Sequence, residues 1–174
     1  MRNKKFGLSA ILAIVIGVLV LALDLITKYV ITAGMPHEGM MADFLPGFIN
    51  VVIVFNTGAG FGILAGRPIF LIVLTIILIT VFILFFVMKH VKGEQPVSVL
   101  LGVAAGFVVG GCFGNLYDRL VFGYVRDFLN FQFMNFPVFN VADICLCVGI
   151  ALLVVYFLFI MPKENKKGEK SDEK

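Results

Sequence analysis

The stretch that decides the fold is LGVAAGFVVGGCFGNLYDR, residues 101–119, an apolar run with a glycine at every fourth position that ends in polar residues. Positions four apart lie on almost one face of a helix, drifting by about 40° per step. Small residues at this spacing let a neighbouring helix approach closely. The stretch therefore predicts a membrane helix that packs through its glycines and holds Asn115, Asp118 and Arg119 at its end.

Three further apolar runs accompany this one, and 60% of the chain is hydrophobic. About 20 apolar residues cross a hydrocarbon core of about 30 Å, so the composition excludes a soluble globular protein. The predicted spans cover approximately residues 6–31, 69–88, 97–116 and 141–160. We expect one membrane domain over residues 1–162 and a charged, disordered cytoplasmic tail over residues 163–174. A removable secretory signal is the alternative for the first run, which is long for that role.

The positions of Lys and Arg predict the orientation. Ten of these residues fall on one set of flanks, and four fall on the other, namely Lys28, Arg67, Arg119 and Arg126. Basic flanks stay in the cytoplasm, so both termini are predicted to be cytoplasmic and the two long connections extracytoplasmic. A basic surface that attracts anionic lipid is a compatible interpretation of the same residues.

Both outer connections contain strand-like segments. Residues 49–55 are β-branched and aromatic, and a glycine-rich turn sequence follows them, while residues 124–139 mix aromatic and polar side chains. Because an open strand edge cannot face lipid, these strands should pair with each other or lie along the helix ends. The fold class is thus an all-α membrane protein with a small extracytoplasmic β-element. Its aromatic residues fit an interfacial belt and a substrate-facing surface equally well.

The predicted topology gathers the polar side chains at one level of the membrane. Ionisable groups in or beside membrane spans are costly and are functional candidates by default. The residues that share the outer level are Asp24, Asn56, Asn115, Asp118, Arg119, Asp127, Asn140 and Asp143.

Three pairs among the polar residues also have a purely structural interpretation. Opposite charges one helical turn apart can pair, adjacent charges can form a structural ion pair, and an Asn followed three residues later by Asp fits a helix N-cap. The pairs concerned are Asp24–Lys28, Asp118–Arg119 and Asn140–Asp143.

Asp127 is harder to explain structurally, because it lies among apolar and aromatic neighbours. Burying a carboxylate costs several kcal/mol unless it is paired or protonated. No His/Cys set has zinc-like spacing and no phosphate-binding loop is present, so neither a metal nor a cofactor is predicted. Two Asp side chains about 3 Å apart share one proton, and such a pair can activate water and polarise a peptide carbonyl.

Five motifs together resemble those of the lipoprotein signal peptidase (signal peptidase II) family and occur in the family's order. They are Asp24-Leu-Ile-Thr-Lys28, Asn56-Thr-Gly58-Ala-Gly-Phe61, Gly110–Arg119, Val125-Arg-Asp127-Phe128 and Phe139-Asn140-Val-Ala142-Asp143. Two departures are Gly60, in a slot often filled by Ala or Ser, and Arg126, in a slot that is often apolar.

The resemblance implies four transmembrane helices with a small β-cradle on the outer side. It also implies an aspartic endopeptidase of the bacterial cytoplasmic membrane that cuts prolipoprotein signal peptides before a diacylglyceryl-modified cysteine. Asp127 and Asp143 match the catalytic pair. The matching substrate-binding and support residues are Asp24, Lys28, Asn56, Gly58, Asn115, Asp118, Arg119 and Asn140.

The partners that the resemblance implies are lipid-modified prolipoproteins, membrane lipid and cyclic peptide inhibitors such as globomycin. We expect no nucleic acid and a monomer. Two other function classes stay open on the residues alone. A proton-coupled transporter or channel subunit would use Asp24 and Asp143, although its carboxylates belong nearer the mid-membrane. An assembly subunit built on the glycine face leaves Asp127 unexplained.

Overall fold

The computed structural model describes residues 7–58, 63–92 and 97–164. The helices in these ranges are α1 (Leu8–Gly34), α2 (Pro68–Lys92), α3 (Val99–Phe122) and α4 (Val141–Val155), and the strands are β1 (Met41–Leu45), β2 (Ile49–Asn56) and β3 (Val125–Phe131). A π-helical turn, Tyr156–Ile160, continues α4, and the helical segment ends at Glu164. All four helices are long and apolar enough to cross a membrane, as predicted.

All four helices end three to six residues beyond the predicted spans, and two of these ends change the interpretation. The third helix continues six residues beyond residue 116, so that Asp118 and Arg119 lie on the helix and do not terminate it. Lys163 and Glu164 were expected in a disordered tail but continue the fourth helix, where the Tyr156 hydroxyl donates a hydrogen bond of 2.9 Å to Glu164 Oε2. The remainder of the predicted tail, residues 165–174, and residue 6 of the first predicted span lie outside the described residues.

The helix α3 is the centre of the bundle, because 56% of its span is buried against 11–17% in the other three. It meets α1 through the predicted glycine face. A Cβ added to Gly106 would lie 2.7 Å from the Ile16 Cβ, and one added to Gly110 would lie 2.7 Å from the Gly17 carbonyl oxygen. Real Cβ atoms essentially never approach that closely, so the glycines are what allow the two backbones to touch.

The three strands form an antiparallel sheet in the order β1-β2-β3. The strands β2 and β3 pair with each other, which is the first of the two predicted arrangements for the long connections. Their register sets Val54 opposite Asp127. The strand β1 was not predicted, because its sequence, Met-Ala-Asp-Phe-Leu, does not alternate between apolar and polar residues. In the structure all five of its residues are exposed. The strands β1 and β2 follow the end of α1, and β3 connects the end of α3 to the start of α4. We call the end of the bundle at which these connections lie the sheet end.

Candidate active site

Asp127 and Asp143, the two acids that matched a catalytic pair, are brought together by Asn140. The Asn140 Nδ2 donates to Asp127 Oδ1 at 2.6 Å, and the Asn140 backbone N–H donates to Asp143 Oδ2 at 3.1 Å. In return the Asn140 Oδ1 accepts the Asp143 N–H at 3.0 Å, which completes a capping box at the start of α4. The predicted N-cap is therefore confirmed, and the same fully buried residue holds both carboxylates.

Two other asparagines complete the hydrogen bonding of the acid pair. The Asn56 Nδ2, at the end of β2, donates to Asp127 Oδ2 at 2.9 Å. The Asn115 Nδ2, on α3, donates to Asp143 Oδ1 at 2.8 Å. Each of the four carboxylate oxygens thus receives one hydrogen bond, and every donor is an uncharged amide. The pair is held in place without a direct ion pair among the residues that the structure describes.

The pKa of Asp127 is strongly perturbed, and the cause is mainly burial. The residue is only 2% exposed, which disfavours the charged form. The nearby negative charge of Asp143 adds to this effect, while the hydrogen bonds from Asn56 and Asn140 oppose it. Together these contributions raise the pKa of Asp127 from 3.8 to about 7. Near neutral pH the acid pair can therefore hold a proton that an exposed aspartate would have lost.

The fully buried Lys28 is connected to the acid pair through Asn115. Lys28 Nζ is 2.8 Å from Asp24 Oδ2, which confirms the predicted ion pair within α1, and 3.4 Å from Asp118 Oδ2. The same ammonium donates to Asn115 Oδ1 at 3.0 Å, and the Asp24 Oδ1 accepts the backbone N–H of Ala142 at 2.9 Å. Because Asn115 also contacts Asp143, the charge pair on α1 orients the amide that holds the acid.

The expected pairing of Asp118 with its neighbour Arg119 is wrong. Consecutive residues of a helix point about 100° apart, and these two side chains contact different parts of the chain. Asp118 binds Arg126 on β3, with Arg126 Nη2 at 2.7 Å from Asp118 Oδ1. Arg119 instead donates from Nη2 to the Gly58 carbonyl oxygen at 3.0 Å.

Gly58 is held at the end of β2 by two contacts. Its N–H donates to Asn56 Oδ1 at 2.9 Å, and its carbonyl accepts the Arg119 bond. A side chain at this position would crowd the Ile63 carbonyl oxygen, 3.0 Å from an added Cβ. The positions that follow it in the motif, residues 59–62 with Gly60 among them, lie outside the described residues.

The structure therefore gathers all ten predicted site residues at the sheet end of the bundle. Arg126 was not predicted to take part, although an arginine among apolar strand residues was a signal that it needed a partner. Among residues 7–58, 63–92 and 97–164, no group of three or more His, Cys, Asp or Glu is arranged to hold a metal ion.

Comparison with known proteins gives consistent matches along the chain. A family model described as Signal peptidase (SPase) II matches residues 16–159. The chain is 38% identical over 154 residues to a lipoprotein signal peptidase of Enterococcus faecalis, covering 88% of this chain and 91% of that protein. Identity to the Bacillus subtilis lipoprotein signal peptidase is 35% over 154 residues, covering 87% of this chain and 96% of that protein.

Two solved structures, both described as bacterial membrane enzymes, share the architecture. One superposes with a TM-score of 0.74 at 32% identity and covers 84% of this chain and 87% of its own. The other has a TM-score of 0.73 at 33% identity and covers 85% of this chain and 93% of its own.

Proposed function

Since this chain belongs to the signal peptidase II family and is an aspartic peptidase, we propose that Asp127 and Asp143 are its catalytic pair and that it removes signal peptides from lipid-modified prolipoproteins. Cleavage is placed on the N-terminal side of the lipidated cysteine. Family membership decides against the transporter and assembly alternatives. The observation that carries the proposal is the contact of Asn140 with both carboxylates.

The proposed reaction uses one shared proton and a water molecule. The ionised acid accepts a proton from water while the water oxygen bonds to the peptide carbonyl carbon, and the protonated acid gives its proton to the carbonyl oxygen. The product is a gem-diol. Its C–N bond then breaks as one acid protonates the leaving nitrogen and the other takes back a hydroxyl proton. The pair ends with the single proton with which it began.

The hydrogen bonds and the burial of the pair support these acid and base roles. Amide donors on all four oxygens fix the carboxyl groups without neutralising them. The pKa of about 7 for Asp127 keeps one proton on the pair near neutral pH, where a catalytic acid is most effective. Asn56, Asn115 and Asn140 act as orienting residues, and Arg119 with Gly58 shapes the adjoining edge where a peptide backbone would lie.

We place the site at the extracytoplasmic face of the bacterial cytoplasmic membrane, with both termini in the cytoplasm. The basic flanks support this orientation, since the sheet end of the bundle carries the fewer Lys and Arg. At that depth the acyl chains of the substrate stay in the outer leaflet while its signal helix lies beside the enzyme. A cyclic peptide inhibitor such as globomycin is proposed to bind at the same acid pair, on a monomeric enzyme.

The test is cleavage of a lipidated precursor by detergent-purified protein. Asp127→Asn and Asp143→Asn should each lower turnover by on the order of a thousandfold or more, as loss of one member of a cooperating unit does. Asp43→Asn is the matched control, because Asp43 is an exposed carboxylate on β1. Near-normal turnover by either site variant would eliminate the pair, and cleavage that a chelator abolishes would point to a metal in its place.

A further inference from the structure

Arg126 joins β3 to α3 through a buried, threefold contact with Asp118. Its Nη2 donates to Asp118 Oδ1 at 2.7 Å, and its Nε and backbone N–H donate to Asp118 Oδ2 at 3.2 and 2.9 Å. The guanidinium carbon also lies 4.5 Å from the centre of the Phe122 ring. Asp118 is fully buried and Arg126 is 9% exposed. The residue directly before Asp127 is therefore fixed to the central helix.

The charges around the acid pair balance only when one proton is present. The carboxyl groups that meet at the sheet end are Asp24, Asp118, Asp127 and Asp143, and the cations are Lys28, Arg119 and Arg126. Four acids against three bases leave one negative charge, which one bound proton cancels. The thiols of Cys112 and Cys145 are left out of this count, because a free cysteine in an apolar helix behaves as a small hydrophobic residue. A net charge in a cluster that is largely buried is costly, so this composition favours the singly protonated pair.

We propose that Arg126 is the positioning and charge-balancing residue of the acid pair: through Asp118 it fixes the strand that carries Asp127, and its charge sets the pH range in which the pair holds one proton. The inference rests on the proposed catalytic role of that pair. Arg126 touches neither carboxylate in the pair, so its effect runs through Asp118 and through the field of its charge.

The first test separates charge from shape with two substitutions. Arg126→Met keeps an apolar stem and removes the positive charge, so both limbs of the pH profile of kcat/KM should move to higher pH by roughly one unit. Arg126→Lys keeps the charge but loses the two-pronged contact. It should lower kcat by about tenfold while both limbs stay in place. A purely structural role would reduce kcat in both variants and move neither profile.

The second test reverses the sign of the change. Asp118→Asn removes a negative charge, so the limbs should move to lower pH by a similar amount. The double variant Asp118→Asn/Arg126→Met removes one charge of each sign, and its limbs should return to the wild-type positions even though its kcat stays low. These two variants also carry the test if Arg126→Met alone fails to fold, which thermal unfolding in detergent would reveal.

The outcomes separate this inference from the proposed function. Unmoved limbs in both Arg126→Met and Asp118→Asn, or limbs of the double variant that stay displaced, would overturn the charge-balancing role. Wild-type kcat in Arg126→Lys would overturn the positioning role. If Asp127→Asn retains turnover in the same assay, the catalytic pair itself is wrong. If Asp127→Asn is inactive and the Arg126 variants behave as wild type, only the present inference fails.

Discussion

Burial of Asp127 should make the protein less stable as pH rises from acid to neutral. Its pKa is raised from 3.8 to about 7, so between these values the unfolded chain has released a proton that the folded chain still binds. The free energy of unfolding then falls with pH. Each pKa unit is worth about 1.4 kcal/mol, which gives about 4 kcal/mol in total. This contribution is fully present below about pH 4 and is lost by about pH 7.

The assay is equilibrium unfolding in mixed micelles at a series of pH values, comparing wild type with Asp127→Asn. An asparagine has no proton to release, so the decline from pH 4 to pH 8 should be about 4 kcal/mol smaller in the variant. Asp43→Asn should follow the wild-type curve, because Asp43 is exposed and its removal changes no buried charge. An equally steep decline in Asp127→Asn would refute the assignment of the buried proton to this residue.

Three further substitutions test the parts of the site separately. Asn140→Ala should cost about 1 kcal/mol through the lost cap and lower kcat/KM about a hundredfold. Asn140→Ser should recover only the stability that belongs to the cap; recovered turnover in the serine variant would contradict the orienting role. Gly110→Ala should lose about 1–3 kcal/mol in thermal unfolding, but Gly34→Ala should lose nothing, since an added Cβ there meets no atom within 4 Å; similar losses would argue against close helix packing. Lys28→Met leaves Asp24 buried without its cation and should cost about 3–5 kcal/mol, and a denaturant midpoint close to wild type would show that this pair is dispensable.

Features that depend on local pattern were predictable from the sequence. Apolar length alone marks the four membrane helices, and the four-residue glycine spacing marks the contact surface of α3. The N-cap at Asn140 was also accessible, because its signal is an Asn with an Asp three positions later. Each of these features depends on residues that are close in the sequence, within one helix or one turn, so it can be recognised from the sequence alone.

Contacts between residues that are far apart in the sequence were not predictable in the same way. By charge alone, Asp118 could pair with Arg119, Lys28 or Arg126. The structure shows contacts with the last two, and the contact with Arg126 depends on the position of β3. The double role of Asn140 has the same origin. Its cap is local, while its bond to Asp127 requires β3 to arrive beside the start of α4. The strand β1 was not predictable because its own residues show no strand pattern, and it forms a strand only by pairing with β2.

The ion pair on α1 has a consequence for how the protein is made. Asp24 and Lys28 are fully shielded only after α3 has docked, because Gly114 is what admits the Asp24 carboxyl at that contact. The contacts of Lys28 with Asn115 and Asp118 also require α3, which carries both residues. The one-turn spacing of Asp24 and Lys28 allows these two charges to neutralise each other within α1. An ion pair within a single helix thus needs no second helix in order to form, so the two charges are matched before the bundle is complete.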